Sequence, residues 1–403
     1  MSPSAPGRKA IVTTGKVLVA AALLAWVLSA VHWRDYAVAK DGKTYAVLSA
    51  KPAGGEPTEL EISTGLLWWG HRRTMPVDHF QPIPGTSRVV RAGFATTVAN
   101  LKVPLLVVAF AVNVLNMVIM ASRWWLLLRV VSINISPWEA LRLSFLGQYF
   151  SVIVPGTVGG DLVKAYYVSK HTAAKAAALV SVIMDRIMGL TELTLMATVM
   201  LLVVYFAGLS SVETLKLPAV IVAIVVAVLI AAFVFLFSQR FRRLLRLDRL
   251  YRRLPMAHHI AAAAGAVHLY RGNVRRLIEA MGITLLGHVA WIGSMVLVAA
   301  SLSLATPWYN FFLYVPLIYT IGAVPLTPGG LGLVEKFFVV FFVTPLVTAS
   351  EVVALALLIR VMPVFWSLPG AIVAVTGAKV PKAAEMKTEL GLADQPAGTG
   401  QQG

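Results

Sequence analysis

Between residues 218 and 237 the chain runs for about twenty residues without one charged side chain. That length matches the hydrocarbon core of a bilayer, where only structures that satisfy every backbone N–H and C=O internally are stable. Apolar stretches of comparable length recur near 103–122, 173–207, 278–304 and 352–375. Of the 403 residues, 58% are hydrophobic and 13% charged, too apolar for a soluble domain. An all-α polytopic membrane protein is expected. The net charge of +17 comes from basic residues at span ends and in one long loop. That distribution fits cytoplasmic loops and anionic lipid head groups rather than nucleic acid. No cysteine is present, which excludes disulfides, thiolate metal sites and a cysteine nucleophile.

The chain divides by composition. In residues 1–33, Arg8, Lys9 and Lys16 precede an apolar run with Trp26 and Trp33 near its end. This reads as an uncleaved transmembrane anchor with its start in the cytoplasm; a cleaved signal peptide is the alternative, because Ser29 and Ala30 are small. Residues 34–100 are polar and turn-rich. "TYAVLSA" and "ELEIS" read as strands and "DG" as a hairpin turn, so a small β-rich extracytoplasmic domain is expected. His71 and His79 lack metal-ligand spacing, and "LLWWG" (66–70) either dips into the interface or joins the small core. Residues 101–378 form the transmembrane domain. Arg123 and Arg129 are read as closing its first span on the cytoplasmic side. Within 239–276, ten arginines face one acid, Asp248. Leu244, Leu247, Tyr251 and Leu254 recur there at helical spacing, which predicts a basic amphipathic helix on the inner leaflet. Residues 379–403 read as a disordered cytoplasmic tail.

Two apolar stretches are interrupted by Pro and Gly, "VPGTVGGDLVKAYYV" (154–168) and "VPLTPGGLGLVEKFFV" (324–339). Val154, Pro155, Thr157, Gly159 and Gly160 match Val324, Pro325, Thr327, Gly329 and Gly330 in register. After a one-residue insertion, Leu162, Val163, Tyr166, Tyr167 and Val168 match Leu333, Val334, Phe337, Phe338 and Val339, and Lys164 falls against Glu335. This is an internal repeat. The basic flanks place both ends of the first interrupted unit in the cytoplasm, while the chain enters the second from outside. An inverted repeat with two re-entrant helix hairpins is therefore expected, the arrangement in which interrupted segments mark a transporter's central site. Free N–H groups at the exposed helix starts suit a phosphate, and glycine lets backbone approach it.

Charges inside apolar segments are costly and mark candidate sites. Here they are Asp161, Lys164, Asp185, Arg186, Glu192, Glu335, Lys336 and Arg360. Asp185 and Glu192 share a helix face, with either a structural or a functional role. Arg186 and Arg360 are suited to bidentate phosphate binding. Lys164 either joins them or snorkels to the interface. His288 reads as a satisfied core histidine. "VGGD" (158–161) is near the GxGD of intramembrane aspartyl proteases but has Val158 where the first glycine belongs, and no other catalytic motif stands out. No enzyme activity, cofactor or metal is expected.

"GQYFSVIVPGTVGGDLVKAYYV", "VSVIMDRIMGL" and "VPLTPGGLGLVEKFF", in that order, resemble the flippase-like membrane domain of the lysylphosphatidylglycerol synthases, the multiple peptide resistance factor family. The resemblance covers about residues 100–378. It implies a helical inverted-repeat domain that moves lipids between leaflets, with Asp161, Asp185, Arg186, Glu335 and Arg360 at motif or charged positions. About twenty-five residues follow the last span, so the aminoacyl-transferring domain of the synthases is not expected here.

The combined expectation is a bacterial inner-membrane lipid flippase or scramblase with both termini cytoplasmic. Its partners would be membrane lipids, either an anionic phospholipid or a polyprenyl phosphate, with homo-oligomerisation left open. The head group would be held by Gly159, Gly160, Asp161, Lys164, Asp185, Arg186, Gly329, Gly330, Glu335 and Arg360. In the empty site the acids would pair with the bases or carry a proton. An integral-membrane transferase acting on lipid-linked sugar and a non-transporting scaffold are the alternatives.

Overall fold

The computed structural model describes residues 5–51, 57–64, 71–153, 159–172, 175–237, 270, 272–324, 326–376, 385–386 and 390. The basic amphipathic segment therefore falls outside the described residues apart from 270 and 272–276. So do the tail apart from 385–386 and 390, the 66–70 stretch, and the first Pro–Gly turn at 154–158.

The chain forms two compact units. The first comprises Met1–Phe110, Gly293–Phe311 and Ile321–Val361. It begins with helix α1 (Ala5–Ser29) and a five-stranded antiparallel sheet: β1 (Tyr36–Val38), β2 (Thr44–Lys51), β3 (Glu59–Thr64), β4 (His71–Pro76) and β5 (Val90–Arg91), in the order β4-β3-β2-β1-β5. The expected strands are β2 and β3. The Asp41–Gly42 turn joins β1 to β2 with Gly42 at φ 84°, a left-handed conformation that hairpin turns demand. On β3, Leu60 and Ile62 point to one face and bury themselves with Ala37, Phe80 and Val89, as the two-residue period of a strand dictates. Short helix α2 (Phe94–Ala99) leads into the helical part. His32, just past α1, donates its backbone N–H to Ser350 Oγ at 2.9 Å and accepts the hydroxyl in return at 3.1 Å.

The remaining helices are α3 (Val103–Val130), α4 (Pro137–Ile153), α5 (Gly159–Ser169), α6 (Lys175–Phe206), α7 (Val212–Phe237), α8 (Val274–Ser301), α9 (Trp308–Gly322), α10 (Leu333–Phe342), α11 (Ala349–Phe365) and α12 (Leu368–Thr376). Five described segments are long and apolar enough to cross a membrane: those of α3, α6, α7, α8 and the joined α11–α12. Helix starts follow local chemistry. Ser136 Oγ accepts the Glu139 N–H at 3.1 Å ahead of Pro137, which has no N–H to leave unmade at the first helical position. Thr348 and Glu351 form a reciprocal capping box at α11, with bonds of 2.7 and 3.3 Å.

Three span boundaries differ from expectation. Helix α3 does not stop at Arg123 but continues to Val130. Pro218 does not open α7; it lies inside a helix begun at Val212, where Ser211 Oγ accepts the Thr214 N–H. The last span is two helices, because Pro369 has no N–H to offer the Phe365 carbonyl and the chain turns at Trp366 and Ser367.

Several helix lengths and ends match at a fixed offset of 171 residues. Helices α3 and α8 both have 28 residues, and their first residues, Val103 and Val274, are 171 positions apart. Each ends with a serine in the left-handed region, Ser132 at φ 61° and Ser303 at φ 58°, again 171 apart. The following amide reaches back to close each end: Ile133 N–H to Leu128 O at 2.9 Å, Leu304 N–H to Ala299 O at 3.0 Å. Helices α4 and α9 start 171 positions apart as well. Left-handed backbone strains any residue with a Cβ. Ser132→Gly and Ser303→Gly should therefore each leave stability unchanged or raise it by about 0.5–1 kcal/mol, whereas Ser132→Val should lower it by about 1–2 kcal/mol. Thermal unfolding in detergent checks this.

Candidate functional site

The second unit comprises Ala111–Ile292, Phe312–Thr320 and Met362–Gly403. Its centre is the α4–α5 hairpin. Gly147 on α4 and Gly160 on α5 cross so closely that a Cβ on Gly160 would overlap the Gly147 carbonyl and Ser151 Oγ. The Lys164 stem lies across Gly147. Close approach of two backbones without Cβ atoms is what glycine permits. On the other side of α4, Gly370 of α12 packs against the Phe145 carbonyl. Gly159 opens α5.

This crossing turns Lys164 inward. It does not snorkel: its side chain is 13% exposed, its ammonium lies 3.7 Å from Asp185 Oδ2, and it sits 4.1 Å above the Trp124 ring. Asp185, on α6, also receives two hydrogen bonds from Arg123, Nε at 3.0 Å and Nη2 at 2.7 Å, both to Oδ1. Arg123 Nη1 reaches Thr284 Oγ1 on α8 at 3.4 Å. Arg123 is thus a buried member of the charge cluster, 7% exposed at its side chain, and not a marker of the membrane surface. The sequence reading missed it. The available signal is that Trp124–Leu128 continues the apolar run beyond it, so the arginine stands inside a span with apolar residues on both sides.

Asp161, in the first turn of α5, pairs with Arg186 on α6 in fork geometry, Nε to Oδ2 at 2.7 Å and Nη2 to Oδ1 at 2.9 Å. Unlike the Arg123 cluster, this pair is accessible: the Arg186 side chain is 61% exposed. Asp185 and Arg186, adjacent in sequence, therefore serve separate partners about 100° apart around α6. Glu192, two turns along the Asp185 face, is buried and its Oε2 has no hydrogen-bond partner. His288 is buried beside Trp291, but its Nδ1 also lacks a hydrogen-bond partner, so it is not the satisfied core histidine expected.

The first unit holds the other predicted residues. Gly329, Gly330 and Gly332 all take left-handed backbone, with φ 58°, 70° and 77°. At Gly332 a Cβ would also press on the α1 backbone at Ala20 and Leu24. These glycines reverse the chain into α10. Glu335 then caps that helix, accepting the Gly332 N–H at 2.8 Å through Oε2, and its Oε1 accepts Arg360 Nε. Arg360 Nη2 lies 3.5 Å from the Gly330 carbonyl. Lys336 turns aside to the Trp26 ring.

The ten predicted residues thus fall into three groups: Asp161 with Arg186, Lys164 with Asp185 around the Gly159–Gly160 helix start, and Glu335 with Arg360 beside Gly329 and Gly330. In both units an acid in the first turn after a glycine-rich break pairs with an arginine 25 positions later. A family profile for the lysylphosphatidylglycerol synthase TM region matches residues 86–370. The chain belongs to this family. The match spans every charged residue of the three groups, begins in the last strand-bearing part of the polar segment and ends within α12. No curated protein matches the chain in sequence. As a lysylphosphatidylglycerol synthase TM-region protein with five spanning-length segments, it is a multi-pass membrane protein of a lipid-related family.

Proposed function

We propose that this family member moves a phosphate-bearing lipid, a phospholipid or a polyprenyl-phosphate-linked lipid, between membrane leaflets. The observation that carries the reading is the twice-built pair, Asp161–Arg186 and Glu335–Arg360, each set at a glycine-rich helix start with the same spacing of 25. Arginine holds carboxylate and phosphate in the same bidentate way, so a lipid phosphate can replace the aspartate or glutamate on each guanidinium. The acid keeps the arginine positioned when no lipid is bound. The matched lengths of α3 and α8, and the serine caps 171 positions apart, support an internal repeat. Charge distribution in the loops supports its inversion in the membrane, in the bacterial inner membrane with both termini cytoplasmic. Helices α5 and α10, with 11 and 10 residues, span only about 15 Å each, which suits re-entrant hairpins rather than crossings. No chemical step on the lipid is invoked.

An open, mostly apolar groove of about 550 Å³ runs between α3 and α8, lined by Ser122, Trp125, Leu126, Gly282, Ile283 and Leu286 with Glu279 at one end. It fits an acyl chain. Gly282 has open space where a Cβ would stand, so Gly282→Trp should fill the groove without disturbing the backbone and slow lipid movement at least tenfold. Unchanged movement in a folded Gly282→Trp protein would remove the groove from the path.

The decisive experiment uses proteoliposomes carrying labelled phosphatidylglycerol, phosphatidylethanolamine or a polyprenyl phosphate, with transbilayer movement followed by quenching from outside. Movement by the wild type that Arg186→Ala and Glu335→Gln both abolish, with folding intact, is expected. Failure of all three lipids to move, with or without a proton gradient, would sink the reading.

A further inference from the structure

Glu192 stands apart from the paired charges. It is 4% exposed, and its Oε2 has no hydrogen-bond partner. Its carboxyl lies beside the Thr284 hydroxyl and within reach of the Arg123 charge. Neither neighbour gives Glu192 Oε2 a hydrogen bond. Arg123 spends Nε and Nη2 on Asp185 and Nη1 on Thr284. The Thr284 hydroxyl donates its only hydrogen to the Ala280 carbonyl at 2.7 Å. With the hydroxyl turned to Ala280, Thr284 offers Glu192 a lone pair, which accepts from a carboxylic acid O–H. Two further buried polar atoms nearby lack partners: His288 Nδ1, one turn beyond Thr284 on α8, and Asn116 Oδ1, which lies against Gly287. An ionised carboxylate with an empty oxygen is expensive in such surroundings.

The charge count gives this a consequence. Lys175 stands apart, exposed in the first turn of α6. The charges joined to one another around the middle of α6 are Arg123 from α3, Asp161 and Lys164 from α5, and Asp185 and Arg186 from α6 itself. That is three cations against two carboxylates. On α7, Glu213 and Lys216 pair with each other at 2.7 Å; on α8, Arg275 and Glu279 do the same at 3.2 Å, leaving Arg276 in the first turn and His288 in the middle of that helix as its other ionisable groups. From α9, the ionisable side chains in this unit are Tyr314 and Tyr319. With Glu192 protonated the cluster carries one net positive charge, the complement of one phosphodiester. With Glu192 ionised the cluster is neutral.

We propose that Glu192 is a proton-binding site coupled to phosphate binding: a monoanionic phosphate group enters the cluster together with one proton, which forms the Glu192 O–H, and leaves when that proton is lost. This rests on the lipid reading above and adds to it a proton that travels with the head group. Glu192 is a positioning residue for charge and need not touch the lipid.

The test uses the full chain in detergent, titrated with short-chain phosphatidylglycerol in weak buffer containing a pH indicator, with binding followed by calorimetry. Above the pH at which Glu192 loses its proton in the lipid-free protein, the wild type should take up about one proton per lipid bound and its affinity should fall about tenfold per pH unit; below that pH uptake should vanish and affinity should level off. Glu192→Gln, which supplies a permanent neutral donor to Thr284, should bind lipid with no proton uptake and a flat pH profile. Glu192→Asp, retaining the acid, should keep the uptake. Lipid binding without proton uptake in the wild type above that pH, or equal uptake in Glu192→Gln, would overturn the proton site and leave the lipid reading standing. No lipid binding at any pH would overturn both. Proton uptake with inorganic phosphate alone would support the proton step and overturn the lipid as the source of its anion.

Discussion

Arg123→Met should destabilise the protein by about 3–5 kcal/mol, because it leaves Asp185 and Lys164 buried without the guanidinium that joins Asp185 to Thr284. Arg186→Gln, which breaks an accessible pair, should change stability by about 1 kcal/mol or less. Lipid movement should respond the other way round: folded Arg186→Gln protein should be inactive. Chemical denaturation in detergent beside the proteoliposome assay separates the two effects. If Arg186→Gln unfolds the protein as readily as Arg123→Met, the Asp161–Arg186 pair is structural and the phosphate-exchange idea loses its first station. The contrast follows from burial alone. Removing Arg123 strips Asp185 of two hydrogen bonds inside a desolvated cluster, whereas the Arg186 side chain is 61% exposed and less desolvated charge depends on it.

Gly160→Val should cost about 3 kcal/mol and abolish transport together with stability. Its side chain would have to occupy the space of the Gly147 carbonyl and Ser151 Oγ, and backbone cannot yield as a flexible side chain can. Prising α4 from α5 would also withdraw the Lys164 stem from Gly147 and its ammonium from Asp185. Gly282→Ala, facing open space on α8, is the matched control and should fall within about 0.5 kcal/mol of wild type. A Gly160→Val protein as stable as that control would show that the hairpin crossing is not as close as the structure has it.

Much of this protein was legible before any fold was drawn. Length and hydropathy determine the spans, because a bilayer admits few alternatives to an uninterrupted helix. Strand patterning determines β2 and β3, and Asp41–Gly42 the hairpin turn that opens β2. The Pro–Gly interruptions, matched in register, mark where Asp161, Lys164 and Glu335 stand, and rarity of charge in apolar sequence marks Asp185, Arg186 and Arg360. Partnership was not legible. Whether Asp185 serves Arg186 beside it or Arg123 sixty-two positions away depends on which faces of α3, α5, α6 and α8 meet, and no periodicity within one helix contains that information. For the same reason Arg123 reads as the end of a span, Lys164 as either a phosphate ligand or a snorkelling side chain, and His288 as a satisfied one. A single chain's pattern determines what must be buried in the membrane; only tertiary packing decides which buried charges neutralise each other and which, like Glu192, keep an oxygen with no hydrogen-bond partner.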